Sequence, residues 1–369
     1  SDVCSSDLIN HSERHNANIR EALNNQQKNE KENKENNSVL KANLDEGSNY
    51  VKDSASLQDM FQAVSNSEAL CDELENNQKN RDMIEQYKIE GTINNDQNPC
   101  FHDETTYPQF QEELEEFKHL LIELVYLNEP KTFYKFSDGD YYFLNKIPTG
   151  SATPGRRALS KSYDEINHDA FVNGAQECDY YTCEIYPENR VNFMDVIHRG
   201  IDFPAEFGYG LVANKWLLKT FAGQIGLIGA GLKLNIIKNL MEAPQYQEYL
   251  GLEKFEDYIS LPQKFACDDL DATEEMVASQ LMKSTSKIFL MGMGHVKSGL
   301  IHRLKKYRNA VFLDVGASID ALAGIIDVDR PYAGDWTNYQ IDDVQLYKGI
   351  DFLAYEGKGK HLVLEREIV

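Results

Sequence analysis

The stretch Ile288-Phe289-Leu290-Met291-Gly292-Met293-Gly294-His295-Val296-Lys297-Ser298-Gly299 carries the fold in miniature. Four apolar residues in a row read as a strand buried on both faces, the pattern of a parallel sheet. Two glycines follow, then Lys297 and Ser298 at the start of a helical stretch, which completes a strand–turn–helix unit. Glycines at such a turn permit close backbone approach of a ligand, and a helix start attracts an anion. Gly292, Gly294, His295, Lys297 and Ser298 are therefore candidate contacts for a phosphorylated ligand, with Lys297 as a point charge on a diphosphate. The competing reading is a tight turn whose glycines serve packing. The dinucleotide fingerprint is incomplete. The third glycine is missing at its offset, and no acid stands about 20 residues on in the right context, Asp314 being nearest.

Working outward, the same alternation recurs. The spacing predicts a helix from Phe110 to Leu127, a strand from Thr132 to Phe136, a strand from Tyr180 to Ile185 and a helix from Leu211 to Phe221. A strand at Ile225–Gly229, a helix at Leu232–Met241 and a strand at Tyr258–Pro262 follow. A helix from Thr273 to Met282, a strand from Lys287 to Met291, a helix from Ser298 to Tyr307 and a strand from Ala310 to Val315 close the series. Short apolar strands alternating with helices argue for an α/β fold: a mostly parallel sheet with helices on both faces. Ligands of such sheets bind beyond the carboxyl ends of the strands.

The remainder of the chain is different. Residues 1–106 hold no Trp and only four aromatics, Tyr50, Phe61, Tyr87 and Phe101, with tracts such as Asn24-Asn25-Gln26-Gln27-Lys28-Asn29-Glu30. Such a composition buries too little apolar surface to offset its ordering entropy, so a polar, largely disordered tether is expected there. A helical stripe of Leu57, Met60, Phe61 and Val64 within it suits a local or partner contact. The folded domain is expected over residues 107–369.

Of the net charge of −23, residues 1–106 supply 21 acids against 10 Lys and Arg, or −11, leaving −12 for the domain. An acidic chain is a poor binder of nucleic acid or of anionic membrane, and one that takes a phosphorylated ligand must supply local positive charge or a metal. The six cysteines are scattered without a metal-ligand pattern and read as reduced thiols of a cytoplasmic protein. The apolar stretch from Phe221 to Ile237, interrupted by Gln224 and Lys233, is not a membrane span, and no signal-peptide pattern is visible.

Asp138-Gly139-Asp140 follows the expected Thr132–Phe136 strand and places two carboxylates at its end. These are hard oxygen donors suited to Mn²⁺ or Mg²⁺ shared with a diphosphate; the plain alternative is an acidic turn. Asp314 and Asp320 flank another strand end. Asp320 is a candidate general base, against an N-cap or turn role. Arg156 and Arg157 form a loop pair able to clamp phosphate bidentately. Asp335-Trp336 and Tyr339 offer aromatics to stack on a sugar ring, although Trp336 capping the core is the preferred reading.

In order, four segments resemble the GT-D type of glycosyltransferase family over about residues 110–340. Phe136-Ser137-Asp138-Gly139-Asp140 resembles that family's Phe-Gly-Asp-Gly-Glu metal element. Trp216 through Gly229 resembles its helix, strand and glycine turn. Ser260-Leu261-Pro262-Gln263-Lys264-Phe265-Ala266 resembles its strand, proline and small-residue turn. Lys287 through Asp320 resembles the closing unit, which ends in the Asp-hydrophobic-Gly element at Asp314-Val315-Gly316. The second acid is here Asp140 rather than Glu. The family's Gly-Pro turn is here Gly292-Met293-Gly294, and Ala317 follows Gly316 where the family has His.

The resemblance implies a Rossmann-like, metal-dependent transferase that moves a sugar from a nucleotide diphosphate to a glycan acceptor. Asp138 and Asp140 would hold Mn²⁺ or Mg²⁺, and Gly292, Gly294, His295, Lys297, Ser298 and Arg156 would hold the donor. Asp320 would act as base if configuration inverts. A noncatalytic interaction module that keeps the fold is the alternative. A nucleotide-cofactor enzyme built on Gly292-x-Gly294 is a third, weakened by the missing glycine and ribose acid.

Overall fold

A computed structural model describes residues 109–147, 158–185, 187–327, 336, 338–341 and 360–363. The expected tether over residues 1–106, its stripe at Leu57–Val64, the pair Arg156 and Arg157, and Asp335 lie outside the described residues.

Helix α1 (Phe110–Tyr126) forms where Phe110, Leu114, Phe117, Leu121 and Leu124 return to one face, and all five are buried. Phe117 anchors it, packing its ring 5.0 Å from Phe203 and 5.9 Å from Phe133. Truncating so enclosed a ring costs about 3–5 kcal/mol.

Seven strands follow: β1 (Lys131–Phe136), β2 (Tyr180–Cys183), β3 (Phe203–Pro204), β4 (Ile225–Ala230), β5 (Asp257–Leu261), β6 (Ile288–Gly292) and β7 (Val311–Asp314). They form one sheet in the order β3-β2-β1-β7-β6-β4-β5, with every neighbouring pair parallel. This is the α/β, Rossmann-like architecture that the alternating apolar strands predict. A separate antiparallel pair joins β8 (Ile325–Asp327) to β9 (Lys360–Leu362).

The remaining helices, in chain order, are α2 (Asp138–Leu144), α3 (His168–Ala175), α4 (Pro187–Ile197), α5 (Ala205–Ala213), α6 (Trp216–Thr220), α7 (Gly231–Leu240), α8 (Pro244–Leu250), α9 (Leu270–Leu281), α10 (Lys297–Leu304) and α11 (Ser318–Leu322). The period-2 side chains of the strands divide them between two faces. Phe133, Leu227, Leu290 and Leu313 join the core under α1, α5, α6, α7, α8 and α11. Tyr134, Phe136, Ile228, Phe289, Met291 and Phe312 join the core under α2, α3, α4, α9 and α10. Both faces are therefore dry, which is why β4, β6 and β7 read as nearly unbroken apolar runs.

Three local expectations are corrected. The Asp138-Gly139-Asp140 segment is neither the end of the strand nor an acidic turn but the first turn of α2, because Ser137 and Asp140 form a capping box. The single helix expected from Leu211 to Phe221 is two, α5 and α6. Lys215 adopts a left-handed φ of 65° between them, and Asn214 Oδ1 accepts the Trp216 N–H. Helices α3, α4, α8 and α11 form without having been expected, the last placing Asp320 in a helical first turn rather than a loop. Their apolar stripes are short, and α4 buries only Phe193, Val196 and Ile197.

Trp336 is buried against the first core, with Tyr249 and Tyr339 stacked 3.6 Å apart beside it, so the core-capping reading holds. At the α3–α10 contact, a Cβ placed on Gly174 would lie 2.5 Å from the Ser298 carbonyl oxygen. Only glycine fits there. Among the described residues, no helix is long and apolar enough to cross a membrane.

Candidate active site at the ends of β1, β6 and β7

Three neighbouring strands end together here. The chain leaves β1 and β6 toward the α2–α10 face and leaves β7 toward the α11 face, so the loops part at the point of the sheet where ligands of such folds bind. Each strand end brings a charged residue: Asp140 follows β1, Lys297 follows β6, and Asp314 closes β7.

Lys297 is the centre of the cluster. Its Nζ lies 2.9 Å from Asp140 Oδ2 and 2.9 Å from Asp314 Oδ2, and it also donates to the Lys135 carbonyl oxygen. The Tyr134 ring lies beneath it, 4.8 Å from the ammonium. Burial alone would lower the Lys297 pKa, but the two carboxylates hold it above the ordinary lysine value. Burial alone would likewise raise the Asp140 carboxyl, yet Lys297 and then His295 hold it well below the usual carboxylate range. Asp140 also accepts from Ser137 N–H and Ser137 Oγ, both at 2.8 Å and both on Oδ2. That oxygen is saturated. Its Oδ1 is 3.9 Å from His295 Nδ1, a buried nitrogen without a hydrogen-bond partner. The His295 ring stacks on Phe143 at 4.9 Å.

The residues singled out in the sequence fall into two groups. Asp138, Gly294 and the half-exposed His295 reach the rim; Gly294 has a φ of 59° and open space where a Cβ would stand. Lys297 and Ser298 lie inside. The Ser298 hydroxyl is paired at 2.8 Å with the Tyr134 hydroxyl under the sheet surface. Gly292 is half-buried, and a Cβ placed on it would lie only 2.8 Å from the Gly316 carbonyl oxygen, so this glycine serves loop packing. Asp320 stands apart from the cluster's contacts, ion-paired with Lys233 of α7. Arg156 lies outside the described residues.

The fit of a metal follows from the free oxygens. The Asp138 carboxylate is exposed, and one of its oxygens takes only the neighbouring Gly139 N–H. Asp140 Oδ1 is the second oxygen that Mn²⁺ or Mg²⁺ would need, the other ligands coming from phosphates and water. It belongs to a side chain 1 % exposed, two residues from Asp138 on the same helix, and no contact among the described residues brings the two carboxylates together. A cation caged by protein alone is not provided for: no group of three or more metal-binding side chains exists among the described residues.

Sequence reasoning missed a second polar group on the neighbouring strand ends, made of Lys135, Glu184 and Glu206. Glu184 Oε1 accepts from Tyr209 Oη at 3.2 Å and lies 3.9 Å from Lys135 Nζ, while its Oε2 accepts from Asn189 at 2.7 Å. Glu206 Oε1 accepts the Ile185 N–H at 3.0 Å, and Oε2 is buried without a partner. Burial pushes the Glu206 pKa up to about 7, in the range where a carboxyl exchanges protons near neutrality. The signal was Lys135 itself, a lysine between Tyr134 and Phe136 within a strand.

A surface cleft of about 570 Å³, bordered by Gly223, Pro244, Glu248 and Glu256, lies at the amino ends of β4 and β5. It is at the wrong end of the sheet for this chemistry. No protein-family model matches the chain, and neither curated proteins nor solved structures return a significant match.

Proposed function

We propose that the chain is a metal-dependent glycosyltransferase that takes a sugar from a nucleotide diphosphate, of the UDP-sugar kind, to a glycan acceptor. The observation that carries this reading is the meeting of Asp140 and His295 with the Lys297–Asp314 pair where the loops of β1, β6 and β7 part, with Asp138 exposed two residues before Asp140. Asp138 and Asp140 would hold Mn²⁺ or Mg²⁺, whose charge, when bound, stabilises the departing diphosphate. Lys297 fixes the Asp140 carboxylate in its ionised form and in one orientation, with Oδ1 on the His295 side. His295, held flat on Phe143, presents its ring edge beside that oxygen. Gly294 leaves the rim open for close approach of the ligand. A cytoplasmic location accords with the scattered thiols and is part of the same proposal.

One observation favours a second reading, a noncatalytic interaction module that keeps the fold. Asp140 Oδ2 is already saturated by Ser137 and Lys297, as a purely structural carboxylate would be. Calorimetric titration of UDP into the full chain, with and without Mn²⁺, separates the two. Metal-dependent binding that disappears in Asp138→Ala is the expected result. Binding that ignores the metal, or no binding at all, favours the module.

A further inference from the structure

Lys135 and Lys297 stand at the same sheet edge in opposite conditions. Lys297 has three oxygen partners. Lys135, 7 % exposed, makes no hydrogen bond from its ammonium to any described residue. Its contacts are an ion pair with Glu184 Oε1 at 3.9 Å, beyond hydrogen-bond reach, and the Tyr209 ring at 5.1 Å. The three N–H donors of this largely buried cation thereby have no acceptor among the described residues.

The surroundings explain why no described residue takes them. Glu184 is already engaged by Tyr209 and Asn189. Asp314 and Asp140 act on Lys135 from a distance, with their near oxygens on Lys297. Burial, and then the Lys297 charge, lower the Lys135 pKa, so this pocket disfavours the charge it contains. The side chain runs along the loop after β7: a Cβ on Gly316 would lie 3.5 Å from Lys135 Nζ. That loop follows the strand end that carries Asp314.

We infer that Lys135, and not Lys297, is the lysine that contacts a phosphate oxyanion of the bound ligand. The inference rests on the nucleotide-diphosphate part of the proposed function and reassigns the role that the sequence pattern gave to Lys297. Because Glu184, Asp314 and Asp140 all act on this lysine, the anion binds together with its divalent cation rather than alone. A phosphate oxygen supplies the missing acceptor, and the ammonium is held ready for it at a cost to the folded state.

That cost makes the inference testable, because a ligand-contacting lysine and a structural one respond oppositely to replacement. The full chain, Lys135→Gln and Lys135→Arg are titrated by calorimetry with UDP and with inorganic pyrophosphate, both in Mn²⁺, and each protein is melted without ligand. Expected for Lys135→Gln is a loss of affinity of about tenfold to a hundredfold for both probes, with an unchanged or higher melting temperature. Lys135→Arg, which keeps the charge, recovers part of the affinity. Unaltered affinity in Lys135→Gln overturns the inference and leaves the proposed function standing. A lowered melting temperature, or failure to fold, also overturns it, since the lysine is then structural. If the full chain binds pyrophosphate but not UDP, and Lys135→Gln loses it, the inference stands and the nucleotide reading falls. If the full chain binds neither probe, both fall.

Discussion

Lys297 Nζ and Asp140 Oδ2 meet at 2.9 Å with their side chains 7 % and 1 % exposed, joining the turn after β6 to the first turn of α2. Neither charge is tolerable there without the other, and Asp314 completes the arrangement from β7. Replacing Lys297 with Met leaves two carboxylates facing each other in a dry site. The expected loss is about 3–5 kcal/mol of unfolding free energy, read by denaturant titration at neutral pH. A loss below about 1 kcal/mol would mean that water reaches these carboxylates.

Glu206 gives the chain a pH dependence with a defined sign. Its usual value of 4.5 is raised to about 7 by burial, so between those values the folded state binds the extra proton. Stability from this group is fully present below about pH 4.5 and is lost as the pH climbs through 7. The whole span amounts to roughly 3 kcal/mol. Glu206→Gln keeps the shape and the acceptor for Ile185 N–H while removing the titration. The variant should match the wild type near pH 4.5 and exceed it at about pH 8, in melts run across that range. Parallel curves would place Glu206 in a wetter setting than its buried Oε2 describes.

Asp138 separates function from stability. Its carboxylate is exposed and its hydrogen bond goes no further than the adjacent Gly139 N–H. Asp138→Ala should therefore shift unfolding by no more than about 0.5 kcal/mol while abolishing the Mn²⁺ dependence of UDP binding. A variant that unfolds much more easily would make this residue part of the α2 cap instead.

The α3–α10 contact is equally specific. A methyl on Gly174 collides with the Ser298 carbonyl and the His302 ring, and the backbone carbonyl has no alternative rotamer to adopt. Gly174→Ala should lower stability by about 1–3 kcal/mol in a thermal or denaturant melt, despite the better helix propensity of alanine. A stabilised variant would require α3 to shift freely away from α10.

The strands were legible in the sequence because a sheet buried on both faces leaves no polar alternation to misread. Val311–Asp314 and Ile288–Gly292 lie within a residue or so of where the apolar runs put them. Order across the sheet was not legible. Register such as Lys131 opposite Val311 depends on pairing between distant segments, and no local pattern carries it. For the site, the pattern pointed to the loops after β1, β6 and β7, whose strands lie side by side in the sheet, but not to the state of their residues. Lys297 and Ser298 look available in the sequence, and only the positions of Asp140, Asp314 and Tyr134 reveal that they are engaged. Glu206 follows a Phe-Pro-Ala run that reads as core, and its neighbours come from β2, outside any local window.

The pairing of β1 with β7 sets the order of events during synthesis. Lys131–Phe133 cannot find Val311–Leu313 until roughly 180 more residues have been made, a delay of about 10–40 s at ordinary ribosomal rates. Throughout that interval one edge of β1 has no strand beside it, and an unpaired apolar edge is a template for aggregation. A chain interrupted before Val311 would expose that edge permanently. The newborn protein is therefore most open to misassembly while still on the ribosome, and that is where chaperones would have to shield it.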